Sequence, residues 1–251
     1  MFALKVTDAK KFRDMLTAAS TIVDEATFDL DPNGVKMRGM DPSRIAMVDL
    51  ELPSSVFEKY ECTSALKLCV NINEFLKLLK RAGKDESLEL ILNEATGRLQ
   101  IKIVGKYTRE FNIPTLTASE EEIPAPKLAF NVSAKVLAGE LGGAIEDAEL
   151  VSDHVQLEAD ESKLVLNASG ELLSAIIVLE KGSDSLMELS VKEPSKATFN
   201  LFHLVSIIKA AAATSSIVVV EFSTDMPVKL DFQQEKGERL VFFLAPRIET
   251  G

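Results

Sequence analysis

Four apolar positions, Ile72, Phe75, Leu76 and Leu79, recur 129 residues later as Leu201, Leu204, Val205 and Ile208. Their i, i+3, i+4, i+7 spacing is the buried stripe of an amphipathic helix. A second stripe, Phe12, Leu16 and Ala19, is echoed by Leu137, Leu141 and Ala144. A chain that repeats helix faces half its length away is a duplicated fold. Between the halves lies Pro114–Lys127, with three of the nine prolines and the run Glu120, Glu121 and Glu122. Proline cannot donate to a ladder and disfavours helix on its N-terminal side, so this stretch reads as an extended connector. The domains are therefore expected at 1–113 and 128–251, joined by 114–127.

Within each half, strands dominate. The Asn33-Gly34 pair between Ala26–Asp31 and Val35–Met40 is a strong hairpin signal. Leu4 and Val6 begin a short strand, and strands are also expected at Ile45–Leu52, Leu66–Val70, Leu88–Leu92, Leu99–Val104 and Arg109–Ile113. The stretch after Pro53 reads as irregular surface. Thr7 or Asp8 would cap a first helix reaching about Val23, and Asn71 or Asn73 a second over Glu74–Arg81. In the second half, Leu128–Val132 reads as a strand, Ser133 as a helix cap, the alternation of Val155, Leu157, Leu164, Leu166 and Ala168 as a hairpin, Ser174–Glu180 as a strand, and Ala197–Leu201 as the lead into the last helix. The ending reads as three further strands from Ile217 to Leu244. Each half is thus twice strand, helix, three strands. The fold class is α+β: two duplicated domains of antiparallel sheets, each with two helices packed on one side.

Enzyme chemistry finds little support. His154 and His203 are the only histidines, and neither lies near a cysteine or a nucleophile elbow in the sequence. No glycine-rich phosphate loop, Walker motif, His-Glu-x-x-His or EF-hand pattern occurs. Gly139, Gly142 and Gly143 fall inside a helical period, and Asp29 and Asp31 belong to a hairpin. Cys62 and Cys69 form no zinc-ligand set. The N-terminus lacks a signal-peptide core, and apolar runs such as Ala175–Leu179 are too short to span a bilayer. A cytosolic or nuclear protein with no cofactor, metal or membrane contact is expected.

The net charge is −11. That field repels nucleic acid, so any DNA contact requires a locally basic face. One exists. Lys77, Lys80, Arg81 and Lys84 recur at helical spacing opposite the apolar stripe, and Lys10, Lys11 and Arg13 add charge on the first helix. The stripe is either a solvated face or a surface that tracks phosphates without reading bases, since no aromatic interleaves it. Arg109–Ile113 and Ser174–Glu180 leave little for a solvent side. They are either buried central strands or edges that invite pairing with another chain.

With these residues in view, the chain resembles the proliferating cell nuclear antigen family of sliding DNA clamps, in its archaeal form. The resemblance runs nearly end to end. It rests on Met40-Asp-Pro-Ser-Arg-Ile-Ala-Met-Val48, on Val70-Asn71 opening the second helix and Leu79-Lys-Arg-Ala-Gly83 closing it, on Ser169-Gly-Glu171, and on Phe243-Leu-Ala-Pro-Arg-Ile-Glu249. It implies a closed trimeric ring with sheets outside and helices lining a hole for double-stranded DNA. The ring would be a processivity factor, not an enzyme. By family position Lys11, Arg13, Lys77, Lys80, Arg81, Lys84 and Lys209 would face DNA. The third helix departs from the family in offering glycines, Glu140 and Glu146. Subunits would join through Arg109, Phe111 and Ile113 of one copy and Leu173, Ala175, Ile177 and Leu179 of the next. A pocket for a partner's glutamine-plus-aromatic peptide would be lined by Met40, Arg44, Met47, Ile123, Pro227, Phe243, Leu244, Ala245 and Pro246. Arg44 stands where several relatives have histidine. Partners implied are DNA polymerase, clamp loader, flap endonuclease and DNA ligase, with copies of the same chain or paralogous subunits. Two alternatives stay open: a specialised subunit of a hetero-oligomeric, checkpoint-like ring and, more remotely, a duplicated α+β enzyme with a site at the domain junction.

Overall fold

The computed structural model describes residues 2–6, 8–83, 86–119 and 123–248. The first half runs β1 (Phe2–Val6), α1 (Ala9–Ala19), β2 (Glu25–Asp31), β3 (Gly34–Met40), β4 (Ala46–Pro53), β5 (Lys59–Cys62), β6 (Leu66–Asn71), α2 (Ile72–Leu79), β7 (Ser87–Asn93), β8 (Arg98–Val104) and β9 (Thr108–Pro114). The second half repeats this order as β10 (Val132–Leu137), α3 (Ala138–Glu149), β11 (His154–Ala159), β12 (Lys163–Ser169), β13 (Ser174–Glu180), β14 (Leu186–Val191), β15 (Ser195–Asn200), α4 (Leu201–Ala211), β16 (Ile217–Phe222), β17 (Val228–Phe232) and β18 (Arg239–Leu244).

Two compact units emerge. The first comprises Met1–Asp41, Val48–Pro124 and Gln234–Leu240; the second comprises Pro42–Met47, Ala125–Gln233 and Val241–Gly251. In the first unit, β5-β1-β7-β8-β9 form an antiparallel sheet, and β4-β3-β2-β6 run side by side. In the second, β13-β12-β11-β15 form a sheet and β14-β10-β16-β17 run side by side. Strands alternate buried and solvent-facing residues, as in β8, where Leu99, Ile101 and Ile103 are buried.

The helices cover these sheets with the stripes the sequence sets. α1 buries Phe12, Met15 and Leu16, and α2 buries Ile72, Phe75, Leu76 and Leu79. Each large apolar side chain taken fully out of water contributes about 1.5–3 kcal/mol before ordering costs. Asp8 caps α1 by accepting from the Lys11 amide at 2.9 Å, and Asn71 caps α2 through the Glu74 amide at 2.9 Å. Gly34 opens β3 at φ +148°, where a Cβ would lie 2.2 Å from the Leu52 carbonyl oxygen, so the hairpin admits no side chain there.

Several boundaries differ from expectation. α1 stops at Ala19 rather than near Val23: the Thr17, Ser20 and Thr21 hydroxyls take the carbonyls of Arg13, Thr17 and Ala18, ending the helix early. α2 begins at Ile72, because Asn71 and not Asn73 is the cap. Residues 128–131 are not strand; β10 starts at Val132 and contains Ser133, which therefore caps nothing. Leu137 ends that strand, and α3 begins without a side-chain cap. The helix stripes therefore align differently from the Leu137 reading. Ala9, Phe12, Met15, Leu16 and Ala19 of α1 correspond to Ala138, Leu141, Ala144, Ile145 and Ala148 of α3, at the same 129-residue offset as α2 and α4. Two strands were missing from the expectation, β5 and β14. β5 alternates Lys59 and Glu61 with Tyr60 and Cys62 over only four residues, and β14 opens on the adjacent apolar pair Leu186 and Met187, so neither carries a period-2 run long enough to stand out.

Candidate nucleic-acid interface and partner groove

The outward faces of the two helix pairs carry opposite charge. α1 beside α2, with the residues that end α2, present Lys10, Lys11, Arg13, Lys77, Lys80 and Arg81 against the carboxylates Asp14 and Glu74. In the second unit α3 beside α4 present Glu140, Glu146, Asp147 and Glu149 against the single cation Lys209. The third helix is thus acidic as well as glycine-rich. Gly142 sits 3.5 Å from Ile208 measured to an added Cβ, whereas Gly139 and Gly143 face open space.

The cations are not equally available. Lys11 donates to Glu238 at 2.8 Å, a carboxylate only 5% exposed. Burial alone would push Glu238 up, but the Lys11 ammonium and nearby backbone N–H groups outweigh it and hold the carboxyl below its usual range. Arg13 leans on Asp14 at 3.3 Å, Lys77 pairs with Glu74, and Lys209 pairs with Glu146 at 3.0 Å. Lys80 and Arg81 are exposed, and among the described residues neither makes an ion pair. Lys84 lies outside the described residues. The turn that carries Arg81 is braced from behind. Arg109 donates to the Arg81 carbonyl at 2.9 Å, pairs with Glu86 and stacks over Tyr107 at 5.1 Å. Glu86 accepts from the Gly83 amide, and that bond together with Arg109 holds its carboxyl below the ordinary range.

Both strands singled out for pairing lie at sheet edges, not in sheet centres. β9 has β8 as its one neighbour and β13 has β12. On β9, Arg109, Phe111 and Ile113 are half-buried. On β13, Ala175 and Ile177 are half-buried, Leu179 is buried, and Ile176 is 72% exposed; the preceding Leu173 is exposed too. An edge of this length with an uncovered isoleucine is a template for another strand.

The connector begins pinned to the first unit. Thr115 N–H donates to the Gly97 carbonyl at 3.0 Å and Leu116 N–H to the Cys69 carbonyl at 2.8 Å. Further on, the Ile123 carbonyl accepts from Arg38 at 3.0 Å. Beside it opens a cleft of about 380 Å³ whose walls include Arg38, Gly39, Met40, Lys67, Ser119 and Ile123. Glu120, Glu121 and Glu122 lie outside the described residues. The second unit holds the other pocket candidates. Met47, Phe243 and Leu244 are buried, Pro227, Ala245 and Pro246 are half-buried, and Arg44 is exposed with φ +59°. Ala245 N–H donates to the Ile45 carbonyl at 2.8 Å, which fixes the segment after β18.

Arg38, Asp49 and Arg239 were not among the residues expected to act here. Asp49 is 2% exposed and takes both Arg38, at 3.0 and 3.2 Å, and Arg239, at 2.7 Å. Its signal was present as one carboxylate inside the otherwise apolar run Ala46–Leu50. Among the described residues no group of three His, Cys, Asp or Glu could hold a metal. His154 lies 3.1 Å from Arg247, and the His203 amide serves the Asn200 cap. Cys62 and Cys69 are buried free thiols.

Comparisons with known proteins agree with this arrangement. The profile described as "Proliferating cell nuclear antigen, N-terminal domain" matches residues 1–112, and that of the C-terminal domain matches residues 125–247. A "DNA polymerase sliding clamp" of Thermofilum pendens is 38% identical over 96% of this chain and 97% of its own length. "DNA polymerase sliding clamp 1" of Pyrobaculum aerophilum is 36% identical over 96% of each chain. Among solved structures, PCNA from Thermococcus kodakaraensis superposes with a TM-score of 0.93 at 31% identity, covering 98% of this chain and 100% of that one. A chain of the PCNA2–PCNA3 complex from Sulfolobus tokodaii gives 0.90 at 30% identity with the same coverage. On profiles that match both halves and on full-length relatives, the chain belongs to the proliferating cell nuclear antigen family.

Proposed function

We propose that this chain works as a ring of three subunits threaded on double-stranded DNA, holding DNA polymerase at its template. A clamp of this family is a processivity factor and carries out no reaction of its own. Sliding requires weak, sequence-blind contacts with phosphates, since tight or base-specific contacts would arrest it. The basic outward face of α1 and α2 on a protein of net charge −11 suits that requirement. Lys80 and Arg81 would carry most of the contact, with Lys11, Arg13, Lys77, Lys84 and Lys209 secondary.

The observation that carries the ring is the pair of free edges. β9 and β13 each have a sheet neighbour on one side only, and Ile176 of β13 is uncovered, which supports pairing of β9 of one copy with β13 of the next. Light scattering should return three times 27.4 kDa; a stable monomer would sink the homotrimer.

A second reading has its own motive. The acidic outward face of α3 and α4 would leave a homotrimeric hole unevenly charged, and a paralogous subunit with basic helices there would even it out. Co-purification with a second clamp-like chain in fixed ratio would favour this hetero-oligomer.

The domains of the working clamp are taken as 1–113 and 128–251 with 114–127 connecting. The cleft beside Ile123 and Met40 is assigned to a partner's short peptide; the family resemblance adds Arg44, Met47, Pro227, Phe243, Leu244, Ala245 and Pro246 as candidates for peptide contact. A clamp loader, a flap endonuclease and a DNA ligase are the further partners such a groove would serve. An archaeal clamp would act in the cytoplasm on the nucleoid; no helix among the described residues is long and apolar enough to cross a membrane.

A further inference from the structure

Arg38 holds the connector at Ile123, and its own anchor, Asp49, lies beneath it. Arg38 sits on β3 with its guanidinium half-buried. One terminal nitrogen donates to the Ile123 carbonyl at 3.0 Å, and the other donates to both oxygens of Asp49 at 3.0 and 3.2 Å. Asp49 is in turn fixed by Arg239 at 2.7 Å. The Arg38 Nε is buried and has no hydrogen-bond partner among the described residues, so its other two nitrogens carry the polar contacts. A carboxylate that clamps an arginine from below leaves it few rotamers, and charge-assisted bonds of this kind are roughly twice as strong as neutral ones. The carbonyl of Ile123 is therefore delivered to a fixed point, and with it the side chain that walls the cleft.

We propose that Arg38 is a positioning residue for partner binding: it pre-sets the connector at Ile123 through Asp49, so that a docking peptide need not order the loop itself. This rests on the reading of the cleft as a peptide groove. Ordering a loop on binding costs affinity, and preorganisation returns it. The anchor also makes the variant tractable. In Arg38→Met the carboxylate of Asp49 keeps Arg239, so no buried charge is orphaned.

The test uses the full-length protein with the Ile δ1 methyl groups isotopically labelled. It also uses a synthetic peptide carrying glutamine, an aliphatic residue and paired aromatics. Arg38→Met should lower the order parameter of the Ile123 methyl and weaken peptide binding about tenfold, with the melting temperature and oligomeric mass at the wild-type values. Arg38→Lys, which keeps the charge and one donor direction, should recover part of both. Asp49→Asn should loosen Ile123 in the same sense, and the double variant should be no worse than Arg38→Met alone. An unchanged Ile123 methyl in Arg38→Met overturns the latch. A loosened methyl with unchanged affinity overturns its role in binding. Absence of peptide binding by the wild type overturns the groove reading, and it is told apart from failure of the latch because the methyl readout needs no peptide.

Discussion

Lys209 on α4 and Glu146 on α3 stand 3.0 Å apart, so the one cation on the outward face of the second helix pair is already partnered. Lys80 and Arg81, by contrast, end α2 without an ion pair among the described residues. The two sets of cations should therefore contribute unequally to DNA retention. Exchanging Lys80 and Arg81 for Ala should lower the salt slope of retention by about 1 for each phosphate no longer neutralised. Lys209→Ala should change it less, and Glu146→Gln should raise retention by releasing Lys209. Equal slopes for all variants, read by retention on circular DNA across a salt series, would reduce the stripe to a solvated face.

Phe111 on β9 and Ile177 on β13 are half-buried on strands that lie at the edges of their sheets. An aspartate at either position would place an unpaired charge where the neighbouring copy is to lie. Phe111→Asp and Ile177→Asp should each shift the scattering mass toward that of a single chain. A mass unmoved by both would place the subunit contact elsewhere.

Ile123 and Leu244 were both expected to line the peptide pocket, but they are not equivalent targets. Leu244 is 1% exposed, so Leu244→Ala should cost about 2–5 kcal/mol of stability. Ile123 is only half-buried. Ile123→Ala should weaken peptide binding while the melting temperature stays within a degree or two, about the shift of a surface change. A large fall in melting temperature for Ile123→Ala would make it a core residue instead.

Glu86 gives the fold an acid-sensitive brace. The Gly83 amide and Arg109 hold its carboxyl below the ordinary value of 4.5. A depressed folded-state value means that the stabilisation is complete above the unfolded value and is lost as pH falls through the folded one. Glu86→Gln should therefore be less stable than wild type at neutral pH, and the gap should be smaller in acid, below the ordinary 4.5. Urea denaturation at both pH values reads this out directly. A gap of equal size at both would assign the loss to shape and not to charge.

How much of this could be read from residues alone depends on what kind of signal each feature leaves. The α2 and α4 stripes were plain because a 3.6-residue period survives in sequence, whereas two asparagines, Asn71 and Asn73, competed for the α2 cap and only the backbone decides between them. The start of α3 was not. Leu137 continues the apolar period backwards into β10, so a strand end imitates a helix start. The edge positions of β9 and β13 could not be told from central ones, since both kinds of strand can be apolar; strand order decides it. Availability of charge was equally hidden. Lys11 looks like its neighbours in sequence, yet its partner Glu238 lies 227 residues away. The Arg38–Asp49 pair escaped for the same reason, because nothing local relates a polar-face arginine to a carboxylate on the next strand.

The glycines of α3 have a dynamic consequence. Three glycines in a twelve-residue helix forgo about 3 kcal/mol of helical preference relative to alanine, and no side chain caps its first turn. What holds the helix is the buried stripe from Ala138 to Ala148 against its own unit. Such a segment opens locally long before the sheets beneath it give way. In amide hydrogen exchange the α3 backbone should be the first helix of the protein to take up deuterium, well ahead of α4, whose comparable length contains no glycine.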